Sequence, residues 1–180
     1  MTLEILDVEK IERREVGDED IRRIAEIAVH PEVLKWCPVY RDNPDLETRV
    51  ERLSELFDQI AKDADFLENR FLLLAKLDGK IVGYSQGHRF SMPHENHVGD
   101  IEVIVHPEYQ RKGVGYELLK NGIKLAREKG FKRLVSNPLA DNKATRRTLE
   151  RGGFQLEGIR RKAINMHGQL KDEASNALLL

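Results

Sequence analysis

The sequence has a single cysteine, Cys37, among its 180 residues. One cysteine excludes a disulfide within the chain, as expected for a protein of a reducing compartment. The sequence also lacks a long apolar run: no stretch could cross a bilayer, and the first residues contain no apolar core of signal-peptide length. We therefore expect a cytoplasmic protein that does not associate with membranes.

An excess of charge of either sign is also missing. The 30 Lys and Arg side chains nearly balance the 31 Asp and Glu side chains, so the formal net charge is −1. A field that would attract nucleic acid or an anionic membrane to the whole molecule is therefore not expected. Basic residues do cluster near Arg146 and Arg160, but no set of aromatic residues for base stacking accompanies them, which argues against RNA binding.

No linker rich in Gly, Ser or Pro and no internal repeat interrupts the chain. A chain of this length can bury about two-thirds of its unfolded surface, and we expect residues 1–180 to form one domain. Apolar periodicity and turn residues predict a series of alternating strands and helices. The elements are a strand at 10–14, helices at 19–29 and from Asp45 or Thr48, a hairpin of 71–77 with 81–90, a strand at 97–105, a helix from Val114 to about Lys129, a strand at 131–136, a helix at 143–151, and strands at 155–167 and 171–179.

The most informative stretch joins the strand at 97–105 to the helix that begins at Val114. The apolar strand ends at a His-Pro pair, and a basic turn with glycines at Gly113 and Gly115 follows. The N–H groups of a helix's first turn form an anion site, and glycine lets backbone approach a phosphate where a Cβ would intrude. The candidate cofactor-binding residues here are Val103, Ile104, Val105, Gln110, Arg111, Lys112, Gly113, Val114, Gly115 and Tyr116.

Spacing separates the known phosphate-binding motifs of this kind. A nucleotide P-loop requires Lys and then Ser or Thr after its last glycine, but Tyr116 follows here. A dinucleotide fingerprint requires a third glycine where Leu118 stands. The remaining pattern, Gln110-x-x-Gly113-x-Gly115, resembles the pyrophosphate-binding motif of the GNAT superfamily, the acetyl-CoA-dependent N-acetyltransferases. An ordinary strand-to-helix turn, with glycines for tightness, is the alternative interpretation.

A second motif opens the helix at 143–151. Its pattern, Asn142-x-x-Thr145 and then Glu150-x-x-Gly-Phe, also resembles the GNAT superfamily. In that family the asparagine contacts the pantetheine arm, the hydroxyl lies near the cofactor sulfur, and basic residues of the helix reach the cofactor phosphates. By position, the resemblance implies these roles for Asn142, for Thr145, and for Arg147 or Lys143. The alternative is that Asn142 only caps the helix and Arg147 is only solvated.

Two departures bear on the branch of the family. Many enzymes that acetylate alanine N-termini carry a tyrosine and a glutamate where this chain has Leu149 and Asn137. The Asn-x-x-Thr form is more similar to the RimJ/RimL-like branch, which acts on ribosomal-protein N-termini and on assorted small amines. Leu149 and Asn137 therefore count against a direct copy of the mechanism of the alanine-specific enzymes.

The resemblance covers nearly the whole chain and implies its fold and its ligands. The implied fold is α/β, with a central mixed, mostly antiparallel sheet of six to seven strands, splayed at the cofactor cleft and flanked by about four helices. The implied ligands are acetyl-CoA as cosubstrate, without a metal, and an amine on a small molecule or a protein N-terminus. The resemblance is also compatible with a homodimer, because dimers are common in the family, and the sequence does not determine the oligomeric state.

The chemistry of acetyl transfer points to two acids on the strand at 97–105. Asp100 and Glu102 share one face of this strand, and Ile101 lies on the other. Glu102 is the candidate base, its pKa raised by burial, and Asp100 is its catalytic companion. A solvent-exposed strand face is the alternative. We expect an N–H near Ile104 or Val105 to stabilise the oxyanion, and the hydroxyl of Thr145 or Tyr116 to protonate the thiolate.

Three other hypotheses concern the remaining residues. His94 and His97 are spaced one residue too closely for a helical zinc motif, so a metal site is not expected, and His94 is instead a candidate for lining the amine pocket. Cys37 has no histidine partner in the sequence pattern that would make it an acyl-accepting nucleophile, so we interpret it as a buried thiol. A CoA-binding sensor or partner subunit without turnover is the alternative function.

Overall fold

We describe a computed structural model over residues 2–10, 16–37, 45–63, 66–166 and 168–180. Within these residues the chain forms eight strands and five α-helices. The strands are β1 (Leu3–Asp7), β2 (Arg70–Leu77), β3 (Lys80–His88), β4 (Val98–Asp100), β5 (Glu102–Val105), β6 (Arg133–Ser136), β7 (Gln155–Met166) and β8 (Gln169–Leu179). The helices are α1 (Asp18–Ala28), α2 (Pro31–Leu34), α3 (Leu46–Lys62), α4 (Val114–Glu128) and α5 (Lys143–Arg151). No described helix has the length and apolar character that crossing a membrane requires.

The strands form two four-stranded sheets. The first sheet has the order β1-β2-β3-β5 and is antiparallel throughout. The second has the order β4-β6-β8-β7, in which β4 and β6 are parallel and the other pairs are antiparallel. The chain passes from the second sheet to the first at Ile101, whose N–H donates to the Val135 carbonyl at 3.0 Å. Beyond Ile101, β5 pairs with β3 and leaves β6, which opens a gap between the sheets.

Two apolar cores lie on opposite faces of the first sheet. Helices α1 and α3 bury Ile24 and Phe57 in a cluster that includes Ile104 of β5. Helix α4 buries Leu118 in a second cluster that includes Ile101. Each helix is amphipathic and turns its apolar side to the sheet, so a sheet with helices on both faces results. The core on both sides fixes the position of β5, which carries the candidate base.

The structure contains a first strand that the sequence did not predict, Leu3–Asp7, antiparallel to β2. A strand was expected at 10–14, and Lys10 instead ends the 3-10 turn Val8–Lys10. Residues 11–15 lie outside the described part of the chain. In β1, Leu3 and Ile5 pack against the second core. Leu6, on the other face of the strand, packs against the first core.

Elsewhere the predicted elements agree with the structure to within a few residues. The helices expected at 19–29, from Val114 and at 143–151 are all present. The predicted strand at 97–105 is divided into β4 and β5, because its two halves pair in different sheets. That division raises the number of strands above the expected six to seven.

Candidate active site

The backbone of β5 presents its polar groups to the gap between the sheets. In the antiparallel pair of β3 and β5, His106 N–H donates to the Val82 carbonyl at 2.9 Å. Hydrogen-bonded pairs alternate along such a ladder, so the register directs the backbone of Ile104 toward β3 and that of Val103 and Val105 away from it. Of the two expected oxyanion donors, the Val105 N–H therefore points into the gap and the Ile104 N–H does not. The Val103 N–H is a donor that the sequence did not indicate.

The turn after β5 is held by side chains that bond to its backbone. The His106 Nδ1 accepts from the Glu108 N–H at 3.3 Å, which caps the 3-10 turn Pro107–Tyr109. The Gln110 amide donates to the Val105 carbonyl at 3.1 Å and so connects the turn to the strand. Arg111 and Gly113 then have φ angles of 59° and 85°. Left-handed backbone at two nearby positions folds the segment back toward the start of α4.

Helix α4 starts at this turn without a side-chain cap. Its N-cap residue is Gly113, and within the described part of the chain no side-chain hydrogen bond caps this end of the helix. The Gly115 Cα faces β5: a Cβ there would meet only side-chain atoms of Val105 at 3.6 Å and Val103 at 4.0 Å. Packing within the described chain therefore does not require glycine at position 115. Uncapped amides and an accessible backbone are the features of an anion site at a helix N-terminus.

Two basic side chains stack on the aromatic rings of this region. The Arg151 guanidinium of α5 lies 3.8 Å from the centre of the Tyr116 ring, and the Lys112 ammonium lies 4.9 Å from the centre of the Tyr109 ring. The rings restrict the conformations of these long side chains. Positive charge is thereby kept beside the N-terminus of α4.

The carboxylate of Glu102 is bonded at both oxygens. Cys37 Sγ donates to Oε1 at 2.9 Å, and Gln86 Nε2 donates to Oε2 at 2.8 Å. Burial raises the pKa of Glu102, the negative charge of Asp100 raises it further, and the two hydrogen bonds and the charge of Arg49 oppose that rise. The raised pKa agrees with the expectation for a base in a partly buried cleft.

Asp100 bonds to His88, at the end of β3, rather than to Glu102. Its Oδ1 accepts from the backbone N–H of His88 at 2.8 Å and lies 2.9 Å from His88 Nδ1. The hydrogen bond to Asp100 raises the pKa of His88. Asp100 is thus held by a histidine at the end of β3, and its influence on Glu102 is through charge.

Helix α5 presents the residues of the second motif. The Asn142 side chain caps the helix, since its Oδ1 accepts from the Thr145 N–H at 3.1 Å. Thr145 is partly buried and Arg147 is exposed. Leu149, which occupies the position of the tyrosine in the alanine-specific enzymes, is buried in the second core.

The structure joins some of the predicted site residues and separates others. The residues of the glycine turn form one continuous loop with β5 and α4, and Glu102 lies on the same strand as the loop. Among the described contacts, none connects Thr145 to Glu102 or Asp100. No group of three His, Cys, Asp or Glu side chains that could hold a metal occurs in the described residues. The sequence did not indicate Gln86 as a partner of Glu102. The two residues meet because β3 pairs with β5, and the register of that pair cannot be read from either strand alone.

Comparison with known proteins agrees with this geometry. The model of the acetyltransferase (GNAT) family matches residues 33–154. The structure is similar to the ribosomal-protein-alanine N-acetyltransferase from Brucella melitensis, with 21% identity, 100% of each chain covered and a TM-score of 0.74. It is also similar to YncA from Salmonella typhimurium with its cofactor acetyl-CoA, with 22% identity, 100% of this chain and 95% of that chain covered, and a TM-score of 0.77.

The structure is also similar to an N-acetyltransferase from Staphylococcus aureus Mu50, with 17% identity, 99% of each chain covered and a TM-score of 0.77. Similarity at this level of identity concerns the fold, and it confirms the expected α/β architecture with mixed, mostly antiparallel pairing. The family match is independent of these structures and spans more than half of the chain, including β5, the glycine turn, α4 and α5. The chain therefore belongs to the acetyltransferase (GNAT) family.

Proposed function

We propose that this protein transfers the acetyl group of acetyl-CoA to a primary amine by direct attack within a ternary complex. The observation that carries the proposal is the position of Glu102, a partly buried carboxylate on the strand that leads into the uncapped N-terminus of α4. A base and an anion site on one continuous segment can bring an amine and a thioester together. We also propose that residues 1–180 form a single domain.

The cofactor would occupy the gap beside β5. The diphosphate of acetyl-CoA suits the first-turn amides of α4 and the loop from Gln110 to Tyr116. The pantetheine amides suit the backbone of Val103 and Val105, which the register leaves free of β3, and the side chain of Asn142. Arg147, which is exposed, is assigned to the cofactor phosphates.

The proposed reaction has three steps. Glu102 accepts a proton from the ammonium, directly or through a water, and Asp100 supports this by keeping Glu102 basic. The amine then attacks the thioester carbonyl, and a Val103 or Val105 N–H donates to the oxyanion. The intermediate collapses with cleavage of the carbon–sulfur bond, and the proton that the nitrogen loses as the amide forms passes through the hydroxyl of Thr145 to the departing thiolate.

The acceptor is a primary amine of a small molecule or a protein N-terminus. Support for the RimJ/RimL-like branch comes from the Asn142-x-x-Thr145 motif and from the similarity to a ribosomal-protein-alanine N-acetyltransferase. A homodimer is part of the proposal, and light scattering of the purified protein tests it. We propose that the protein acts in the cytoplasm.

The test of the function is product formation with a panel of amines. Acetyl-CoA would be incubated with a peptide that begins with alanine, a polyamine and an aminoglycoside, and acetylated products would be identified by mass spectrometry. At least one amine should be acetylated at a rate that saturates with both substrates. Binding of CoA by calorimetry, with no product from any amine, would instead favour a sensor without turnover.

Variants of Asn142 should separate its cap from its proposed contact with the cofactor. Asn142→Ala removes the acceptor of the Thr145 N–H, so we expect the free energy of unfolding to fall by about 1 kcal/mol. Asn142→Asp keeps that acceptor but loses the amide donor, so stability should be retained while CoA affinity falls. Urea denaturation and calorimetry measure the two quantities. Wild-type CoA affinity in Asn142→Asp would mean that Asn142 is a cap alone.

A further inference from the structure

We propose that Gln86 and Cys37 are positioning residues for the base: each donates a hydrogen bond to one carboxylate oxygen of Glu102 and holds it ionised and oriented toward the amine. This inference rests on the proposed function of Glu102. It concerns two residues that the family motifs do not include. The contacts are Cys37 Sγ to Oε1 at 2.9 Å and Gln86 Nε2 to Oε2 at 2.8 Å.

The two donors come from different parts of the fold. Gln86 lies directly opposite Glu102 in the pairing of β3 with β5, so the ladder itself sets its position. Cys37 follows the short helix α2, which α1 holds against the first core. Because the donors approach separate oxygens from a strand and from a helix end, they fix the plane of the carboxylate. Each oxygen keeps a second lone pair with which it could accept from an ammonium.

The surroundings explain why such donors are useful. Burial and the charge of Asp100 both disfavour the ionised form of Glu102, and the charge of Arg49 on α3 favours it. Donors to a carboxylate stabilise its charged form, so Gln86 and Cys37 oppose the effect of burial. Without them, a larger fraction of Glu102 would be protonated at neutral pH and unable to accept a proton from the amine.

The pH dependence of kcat/KM tests the inference. Glu102 must be ionised to act, so activity is lost as pH falls through its raised pKa. Gln86→Leu and Cys37→Ala each remove a donor and raise that pKa further, so the acidic limb should move to higher pH by about half to one unit. The double variant should show a larger shift than either single variant, and Cys37→Ser should restore part of the shift.

Ser85→Ala is the matched control. The Ser85 hydroxyl donates to the backbone carbonyl of Glu102 at 2.9 Å, so its loss loosens the same pair of strands without touching the carboxylate. We expect a lower melting temperature and an unchanged acidic limb. Gln86→Leu and Cys37→Ala variants that behave like Ser85→Ala, with an unmoved limb, would overturn the inference and leave the proposed function intact.

A second experiment requires no turnover. Cys37 is the single cysteine of the chain, so alkylation by iodoacetamide reports on it alone. A neighbouring carboxylate that accepts the thiol proton disfavours the reactive thiolate, so Glu102→Gln should be alkylated several-fold faster than wild type. Glu128→Gln, which removes an exposed acid from α4, should react at the wild-type rate. Equal rates in wild type and Glu102→Gln would contradict the contact even if no amine were acetylated.

Discussion

Replacing Glu102 by glutamine should reduce kcat by about 10²- to 10⁴-fold, the contribution typical of a general base. Glutamine has nearly the same shape but cannot accept the proton of the attacking ammonium. The affinity for acetyl-CoA should change little, because the carboxylate bonds to Cys37 and Gln86 and not to the glycine turn. Steady-state kinetics with the acetylated amine and calorimetry with CoA measure the two effects.

The pH profile makes this prediction more specific. Burial raises the pKa of Glu102, so the wild-type rate should begin to fall at a pH above the usual range of a carboxylate. This acidic limb of the pH profile should be absent from the residual activity of Glu102→Gln. Glu128→Gln removes the same charge from an exposed position and should keep both the rate and the limb. Wild-type activity of Glu102→Gln across the pH range would remove Glu102 from the mechanism.

The second large effect is expected at the turn before α4. Gly113→Leu should weaken CoA binding at least tenfold, which corresponds to about 1.4 kcal/mol. Its side chain would lie where the diphosphate is proposed to meet the first-turn amides of the helix, and it would separate the two. Calorimetry with CoA measures the affinity, and urea denaturation measures the accompanying loss of stability.

Gly79 provides a matched control for the backbone strain of that variant. Gly79 and Gly113 have φ angles of 82° and 85°, and a Cβ at either position would meet no atom within 4 Å. Leucine in this left-handed region costs about 1–2 kcal/mol at each position. Both variants should therefore lose similar stability, and only Gly113→Leu should lose CoA affinity. Equal CoA affinities in the two variants would refute the assignment of the glycine turn to the diphosphate.

The parts of the site that could be predicted are those encoded within a short stretch. The turn with Gly113 and Gly115, the start of α4 and the cap at Asn142 each depend on neighbouring residues. Their signals are glycines that permit left-handed backbone, apolar periodicity and a short polar side chain before a helix. The family match over 33–154 confirms the family that these signals indicated.

The first strand shows why a local pattern can be missed. Leu3–Asp7 is a strand because it pairs with β2 and packs against α4, and neither contact is visible in the sequence around it. Similarly, period-two alternation runs unbroken through Ile101, so the sequence gives no sign that β4 and β5 belong to different sheets. Alternation reports which face a side chain takes, and it carries no information about the neighbouring strand.

By itself the sequence determined the order of most elements, the glycine turn at the start of α4 and the presence of an acid on the strand before it. Only the tertiary structure decided which backbone groups of β5 face the gap and which side chains hold Glu102. Gln86 reaches Glu102 through the register of β3 with β5, and Cys37 reaches it through the packing of α1 and α2 on the first sheet. Such contacts join residues that are distant in sequence, and they arise from the simultaneous burial of several elements, which no single stretch of the chain encodes.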